Sequence, residues 1–133
     1  MDTSTPLLVS QRVVQISLFV LSAIALFGGA LQMYLGQPDT SPRLDNVHRF
    51  MAGIYFGCGL IAFFAAMTVR RQNTLVLLIA VSVFFAGCGR LISIGQVGVP
   101  EPHAVWLGYL VPELLLPIVL VIAQFMTNRA SRA

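Results

Sequence analysis

Residues 75–87, LVLLIAVSVFFAG, are the stretch of sequence that decides the fold. The stretch carries no charge, and its apolar residues do not alternate with polar ones as the strands of a membrane barrel require. It lies within a longer apolar segment, from about Thr74 to Val97, and about 20 helical residues are enough to cross the hydrocarbon core of a bilayer. Because lipid offers no water to satisfy free peptide groups, the segment is predicted to be a transmembrane helix.

Three further apolar segments have the same character and are also long enough to span. They run from about Val13 to Leu35, from Val47 to Val69 and from Ala104 to Met126. Of the 133 residues, 57% are apolar and 10% are charged, whereas a soluble domain carries roughly 25% charged residues. This composition excludes an ordinary soluble enzyme, and we predict a single four-span transmembrane domain over residues 1–133.

Arginines set the predicted orientation. Arg70 and Arg71 lie in the short second connection, Arg12 precedes the first span, and Arg129 and Arg132 belong to the C-terminal tail. By the positive-inside rule, these ends of the helices face the cytoplasm. Short connections make consecutive helices antiparallel neighbours. We therefore predict an all-α membrane protein, an antiparallel up-down-up-down four-helix transmembrane bundle with both termini cytoplasmic.

Charged residues inside the spans are the candidates for function, because each costs at least ~2.5 kcal/mol at the centre of a helix. Arg90 and Glu113 lie at matched depths on adjacent spans, which predicts that they pair. Asp45 and Arg49, spaced i, i+4, form a second couple at the start of the second span. The polar residues of the outer half of the bundle are Gln32, Asp45, Arg49, Arg90, Tyr109 and Glu113. The inner half of each span is expected to be almost purely apolar.

Two backbone signals accompany these charges. Pro112 and Pro117 flank Glu113, and each proline removes one amide and frees the carbonyl four residues earlier. A freed carbonyl in a membrane needs a side chain, water or a ligand as its partner. Gly53 and Gly57 form a Gly-x-x-x-Gly pattern, which permits close approach of another helix.

Each feature also has a purely structural interpretation. Arg90 with Glu113 can be an ion pair that fixes helix register, and helix capping can explain Asp45 with Arg49. We interpret Cys58 and Cys88 as small buried apolar residues. No cluster of histidine, cysteine and carboxylate residues has ligand spacing, so we predict no metal and no cofactor. The eight arginines are too few and too scattered to indicate nucleic acid.

Three segments carry a resemblance to a known family: DNVHRFMAGIYFG at 45–57, GCGRLISIGQVGVP at 87–100 and PELLLP at 112–117. They resemble the bacterial membrane family of unknown function numbered 4345 among the domains of unknown function. This resemblance implies a bacterial inner-membrane protein, and it implies no particular activity. The polar signature that it implies falls on Asp45, Arg49, Gly53, Arg90, Ser93, Gly98, Pro100 and Glu113. In size and layout the chain is also similar to DoxX-like four-helix membrane proteins, but fold analogy does not transfer function.

The leading functional hypothesis is a binding module. An outward-opening polar pocket in the outer half of the bundle would hold a small amphipathic or lipid-like molecule, with its tail in the apolar inner half. Arg90 and Arg49 would meet an anionic or carbonyl group, Glu113 would balance them, and Tyr109 and Gln32 would orient the guest. The candidate ligand-binding residues are Arg90, Glu113, Arg49, Asp45, Gln32, Tyr109 and Ser93.

Three other hypotheses stay open at this stage. The protein can be a non-catalytic accessory or assembly subunit of a larger membrane complex, or a small proton-coupled exporter that works as a homodimer. An exporter needs a carboxylate that exchanges a proton for a cation, and an arginine beside Glu113 counts against that exchange. An enzyme is the least favoured hypothesis, and we name no catalytic residue. The expected partners are the lipid bilayer, a lipid-like ligand and a second copy or another membrane protein.

Overall fold

The computed structural model describes residues 5–132 and contains four long α-helices. Helix α1 spans Val9–Leu35, α2 spans Pro42–Met67, α3 spans Thr74–Val97 and α4 spans His103–Ala130. A short 3-10 turn, Val69–Arg71, lies between α2 and α3. All four helices are long and apolar enough to cross a membrane. The predictions of an all-helical fold and of four membrane-length spans are confirmed.

Helix α3 has the predicted bounds, whereas α1, α2 and α4 are longer than the apolar segments that predicted them. The four helices contain 24 to 28 residues, which corresponds to roughly 36–42 Å at 1.5 Å per residue. Helix α2 begins at Pro42 because Ser41 caps it: the Ser41 hydroxyl accepts a hydrogen bond from the Leu44 amide. Helix α1 ends at Leu35, and the next residue, Gly36, adopts a φ of 67°, which is accessible to glycine at little cost.

The four helices do not pack equally against one another. Helix α1 packs along α2 and also against α4, and α3 packs against α4. Helices α2 and α3, although consecutive in sequence, barely touch. The side of the bundle between α2 and α3 is therefore loosely packed, and this places the cavity described below.

Two glycines allow α1 and α2 to approach closely. A Cβ atom added at Gly29 would lie 2.8 Å from the amide nitrogen of Phe56 and 2.9 Å from the carbonyl oxygen of Ala52. A Cβ atom added at Gly59 would lie 2.9 Å from the amide nitrogen of Leu26. Such distances are shorter than real contacts of a Cβ atom with a backbone, so both positions require glycine.

Gly53 and Gly57, the pair that the sequence pattern singled out, lie outside this contact. A Cβ atom at Gly53 would have one described neighbour, the sulfur of Met33 at 3.7 Å, and one at Gly57 would have no described neighbour within 4 Å. No described helix makes the close approach that Gly53 and Gly57 permit. Residues 52, 56 and 59 follow the i, i+4, i+7 spacing of one helix face, and this face of α2 contacts α1, whereas residues 53 and 57 lie beside it.

The compact apolar core lies at one end of the bundle, where α1 begins, α2 ends, α3 begins and α4 ends. Its buried members are Val14, Leu18, Leu21, Ala65, Ala66, Val69, Val76, Ala80, Leu120 and Ala123. Elsewhere many large apolar side chains are exposed, including Phe27, Phe50 and Phe85. Exposed apolar side chains around a bundle of this length are what a lipid environment requires.

A network of amide and hydroxyl groups closes the same end of the bundle. Gln124 Nε2 donates to Asn128 Oδ1 at 3.0 Å and to Asn73 Oδ1 at 3.3 Å. Asn128 Nδ2 donates to Asn73 Oδ1 at 2.9 Å, and Thr127 Oγ1 donates to Ser10 Oγ at 2.7 Å. Gln124 is the one member of this network that lies within a predicted span, whereas Ser10, Asn73, Thr127 and Asn128 lie just beyond the span ends. Single neutral polar residues in an apolar run barely lower its hydropathy, and only the packed helices bring these groups together.

Candidate functional site

The two charges predicted to pair inside the bundle do so. Arg90 Nε lies 2.6 Å from Glu113 Oε2, and this ion pair joins α3 to α4. The Glu113 side chain is 5% exposed and that of Arg90 is 27% exposed. Gly87, one turn before Arg90, allows the close approach, because a Cβ atom there would lie 2.8 Å from the Leu114 side chain. The predicted buried ion pair is therefore confirmed.

Two aromatic rings lie against the arginine of this pair. The Cζ atom of Arg90 lies 5.3 Å from the ring centroid of Tyr109 and 5.7 Å from that of Trp106. Both distances are within the ~6 Å range of cation–π attraction. Sequence reasoning selected Tyr109 and missed Trp106, although the spacing i, i+3, i+7 of Trp106, Tyr109 and Glu113 places all three on one face of α4.

The second oxygen of Glu113 is an unsatisfied acceptor. Oε1 is buried and has no hydrogen-bond partner among residues 5–132. A carboxylate offers about four acceptor positions, and leaving a buried polar group unpaired costs ~1–3 kcal/mol, more when the group is charged. The ion pair with Arg90 therefore leaves Glu113 with unused hydrogen-bonding capacity at a buried position.

Glu113 lies at the polar end of an apolar cavity of about 260 Å³. All four helices contribute walls, and the cavity lies where α2 and α3 are loosely packed. Its polar end is formed by Tyr55, Tyr109 and Glu113, whereas the rest is almost entirely apolar. The apolar lining includes Leu21, Ile24, Ile61, Leu78, Ile79, Val83 and Ala86.

Tyr55 is a site residue that sequence reasoning missed. It is half-buried in α2 and meets Tyr109 at Gly28 of α1. A Cβ atom at Gly28 would lie 3.2 Å from the Tyr109 hydroxyl and 3.4 Å from Cε1 of Tyr55. Tyr55 lies three residues after Ala52 and four before Gly59, both of which contact α1. Since these contacts are known only from the packed helices, the sequence alone did not single out Tyr55.

The second predicted pair, Asp45 with Arg49, lies at the junction of α1 and α2. Arg49 Nε lies 2.8 Å from Asp45 Oδ2. The guanidinium also donates to the carbonyl oxygens of Met33 and Tyr34, at the last turn of α1. Asp45 Oδ1 accepts from the backbone amide of Gln37 at 3.1 Å. The pair therefore fixes the end of α1 against the start of α2, and neither residue lines the cavity.

The remaining predicted site residues, Gln32 and Ser93, lie apart from the cavity. Gln32 is half-buried and Ser93 is exposed. The structure therefore brings Arg90, Tyr109 and Glu113 together and places Asp45 with Arg49 elsewhere. Neither cysteine is fully buried as predicted: Cys58 lines the cavity and is exposed, and Cys88 is half-buried. Within residues 5–132, no group of three or more histidine, cysteine and acidic side chains is arranged to hold a metal ion.

The fold and this site define a small multi-pass membrane protein with an Arg–Glu ion pair at the polar end of an apolar cavity. The family model described as a domain of unknown function (DUF4345) matches residues 11–124, and the chain belongs to this family. The family resemblance seen in the sequence is confirmed. Comparison with curated proteins and with solved structures gave no significant match. These comparisons do not show the similarity to DoxX-like proteins.

Proposed function

We propose that the protein binds a small amphipathic molecule in the cavity between α2 and α3, and that the polar group of this guest is a hydrogen-bond donor. The observation that carries the proposal is Glu113 Oε1, a buried acceptor without a partner among the described residues. Small-molecule sites are typically apolar cavities with a few polar groups that orient the ligand. An alcohol or an amine at the polar end would satisfy this oxygen.

The ion pair favours a donor over the anionic group considered from the sequence. Arg90 already donates its Nε–H to Glu113 at 2.6 Å, and an anion would meet the negative charge of the carboxylate at close range. The hydroxyl groups of Tyr55 and Tyr109 can each donate or accept, so they can orient the polar group of the guest. The 260 Å³ cavity is slightly smaller than the ~300–1,000 Å³ of usual ligand sites, which favours a compact guest.

The proposal places the cavity in a bacterial inner membrane, in an antiparallel bundle with both termini cytoplasmic. Two contacts support the antiparallel packing of α1 and α2: Gln15 Nε2 donates to the Ala66 carbonyl, and Ser22 Oγ donates to the Gly59 carbonyl. As the residue number in α1 rises from 15 to 22, the residue number of its hydrogen-bond partner in α2 falls from 66 to 59. The positive-inside rule supports cytoplasmic termini. In this arrangement, the guest enters from the lipid between α2 and α3.

Native mass spectrometry of gently solubilised protein, with extraction and identification of bound molecules, tests this function. We expect the wild type to retain a guest that Glu113→Gln loses while its helical content stays unchanged. The matched control is Glu101→Gln, which removes the same charge from a carboxylate whose side chain is 79% exposed. Ile79→Trp, which fills the cavity without touching the ion pair, is also expected to lose the guest. An empty wild type, or a guest retained by both Glu113→Gln and Ile79→Trp, would refute the proposal.

An accessory or assembly subunit is the second candidate function. The observation that favours it is the exposure of α3. Only 17% of the 18-residue apolar stretch of this helix is buried within the bundle, compared with 44% for the corresponding stretch of α1. A partner helix, or a second copy of the chain, would cover such a face. The same mass spectra test this candidate, because they would contain a stoichiometric complex with a larger membrane subunit or a dimer. The exporter is less favoured, since Glu113 is held by Arg90.

A further inference from the structure

A second concave region lies at the end of the bundle that holds the compact core. It is formed where α1 begins and where the 3-10 turn follows α2, and its volume is about 550 Å³. Three arginines line it, Arg12, Arg70 and Arg71, together with the polar side chains of Gln15 and Thr68. We call this region the arginine pocket. It shares no lining residue with the Glu113 cavity.

Among the residues that the structure describes, no carboxylate balances the positive charge of the arginine pocket. None of its three arginines forms an ion pair with another residue in the described range 5–132. The acidic residues of that range lie elsewhere: Asp39 and Asp45 near the connection of α1 to α2, Glu101 before α4, and Glu113 inside it. No described carboxylate lines the pocket.

Most of the guanidinium donors in the pocket are not used by described residues. Arg70 Nη2 donates to the carbonyl oxygen of Thr5, and Arg12 Nη1 donates to Gln15 Oε1 at 3.0 Å. Each arginine carries five N–H donors in a planar fork that matches the oxygens of a phosphate group. Membrane topology and the C-terminal dipole of α2 explain why positive charge is found at this end. They do not require three arginines to line one concavity.

The walls of the pocket combine these arginines with apolar side chains. Leu7, Met67 and Val69 line it beside the charged groups, at the end of two membrane-length helices. A lipid headgroup at the membrane surface presents this same combination, a phosphate next to apolar glycerol and acyl carbons. A free phosphate ion has no apolar part that could contact the apolar wall.

We propose that the arginine pocket binds the phosphate group of an anionic membrane lipid. Basic clusters next to the ends of transmembrane helices are attracted to anionic headgroups, and arginine binds phosphate oxygens bidentately. The site is independent of the guest proposed for the Glu113 cavity. It recognises the net negative charge of the headgroup, which the choline cation cancels in a lipid such as phosphatidylcholine.

The test compares two double variants that remove the same charge from the same end of the bundle. Arg12→Gln/Arg71→Gln removes two pocket arginines that are both exposed and keeps Arg70, which holds Thr5. Arg129→Gln/Arg132→Gln removes two exposed arginines outside the pocket. Each protein is placed in nanodiscs of mixed phosphatidylglycerol and phosphatidylcholine. Native mass spectrometry then measures the ratio of the two lipids that stay bound.

We expect the wild type and Arg129→Gln/Arg132→Gln to retain phosphatidylglycerol in preference to phosphatidylcholine. Each pocket arginine is expected to contribute about fivefold, which corresponds to about 1 kcal/mol per cation near the surface. Arg12→Gln/Arg71→Gln should therefore reduce the preference roughly 25-fold, at that contribution per arginine. The single variant Arg71→Gln should reduce it about fivefold by the same rule, and it removes a side chain without a hydrogen bond to described residues.

Two results would overturn the proposal. Equal losses in the two double variants would mean that lipids respond to the overall positive charge and not to the pocket. Inorganic phosphate tests whether the ligand of the pocket is a soluble phosphate instead of a lipid headgroup. If phosphate alone raises the melting temperature of the wild type as much as phosphatidylglycerol does, and Arg12→Gln/Arg71→Gln removes both effects, the ligand is a soluble phosphate rather than a lipid.

Discussion

Replacing Arg90 by methionine tests how strongly the buried ion pair holds the bundle. Glu113 is 5% exposed, and its Oε2 accepts from Arg90 Nε while its Oε1 has no partner among the described residues. Arg90→Met leaves a buried carboxylate with neither a counter-ion nor that hydrogen bond. Removing one partner of a buried pair costs ~3–5 kcal/mol. We expect the free energy of unfolding to fall by about this amount.

The converse substitution, Glu113→Gln, should cost less. Arg90 is 27% exposed and would keep the rings of Tyr109 and Trp106 within 6 Å. Cation–π attraction contributes ~0.5–2 kcal/mol, and the new amide oxygen can still accept from Arg90. We therefore expect a loss of about 1–2 kcal/mol, the range of a weakened hydrogen bond. The asymmetry between the two variants follows from the different burial of the two side chains.

The assay is reversible unfolding in mixed micelles, by titration with sodium dodecyl sulfate and circular dichroism of the helices. The double variant Arg90→Met/Glu113→Leu should be more stable than Arg90→Met alone, because no buried charge is left unpaired. Arg132→Gln serves as a control for the loss of a positive charge at an exposed position. The reasoning is refuted if Arg90→Met stays within about 0.5 kcal/mol of wild type, the usual range of surface substitutions, or if Glu113→Gln is the more damaging change.

Three further predictions use the same protein. Gly29→Ala should lower the free energy of unfolding by ~1–3 kcal/mol, the cost of overpacking. Gly57→Ala should be neutral or stabilising by up to ~1 kcal/mol from helix propensity. Equal effects of the two substitutions would contradict the α1–α2 contact. Gln124→Leu should cost ~1–2 kcal/mol, since interhelical hydrogen bonds in membranes average about 0.6 kcal/mol each, and no loss in the same titration would argue against the amide network. Arg49→Gln should speed hydrogen exchange of the amides in residues 36–41 with a change of at most ~1 kcal/mol in stability; unchanged exchange would show that Arg49 does not hold this junction.

The sequence alone determined the four helices and the ion pair. Runs such as residues 75–87 are too apolar and too long for any conformation other than a spanning helix, so their local composition decides the result. Arg90 and Glu113 were predictable as partners because an unpaired charge is costly in a membrane and no other charge lies at the same depth on the neighbouring span. The pair Asp45 and Arg49 followed from the i, i+4 spacing.

The tertiary structure decided which helix faces meet, and with them the cavity. Hydropathy is nearly uniform around these helices, so the sequence contains little information about which face of α2 contacts α1. The contact through Gly29 and Gly59, and the position of Tyr55, therefore appeared only in the packed bundle. The amide network around Gln124 and the unpartnered oxygen of Glu113 depend on distances between atoms of different helices. Such distances are set when the helices assemble, whereas the helices themselves are set by local composition.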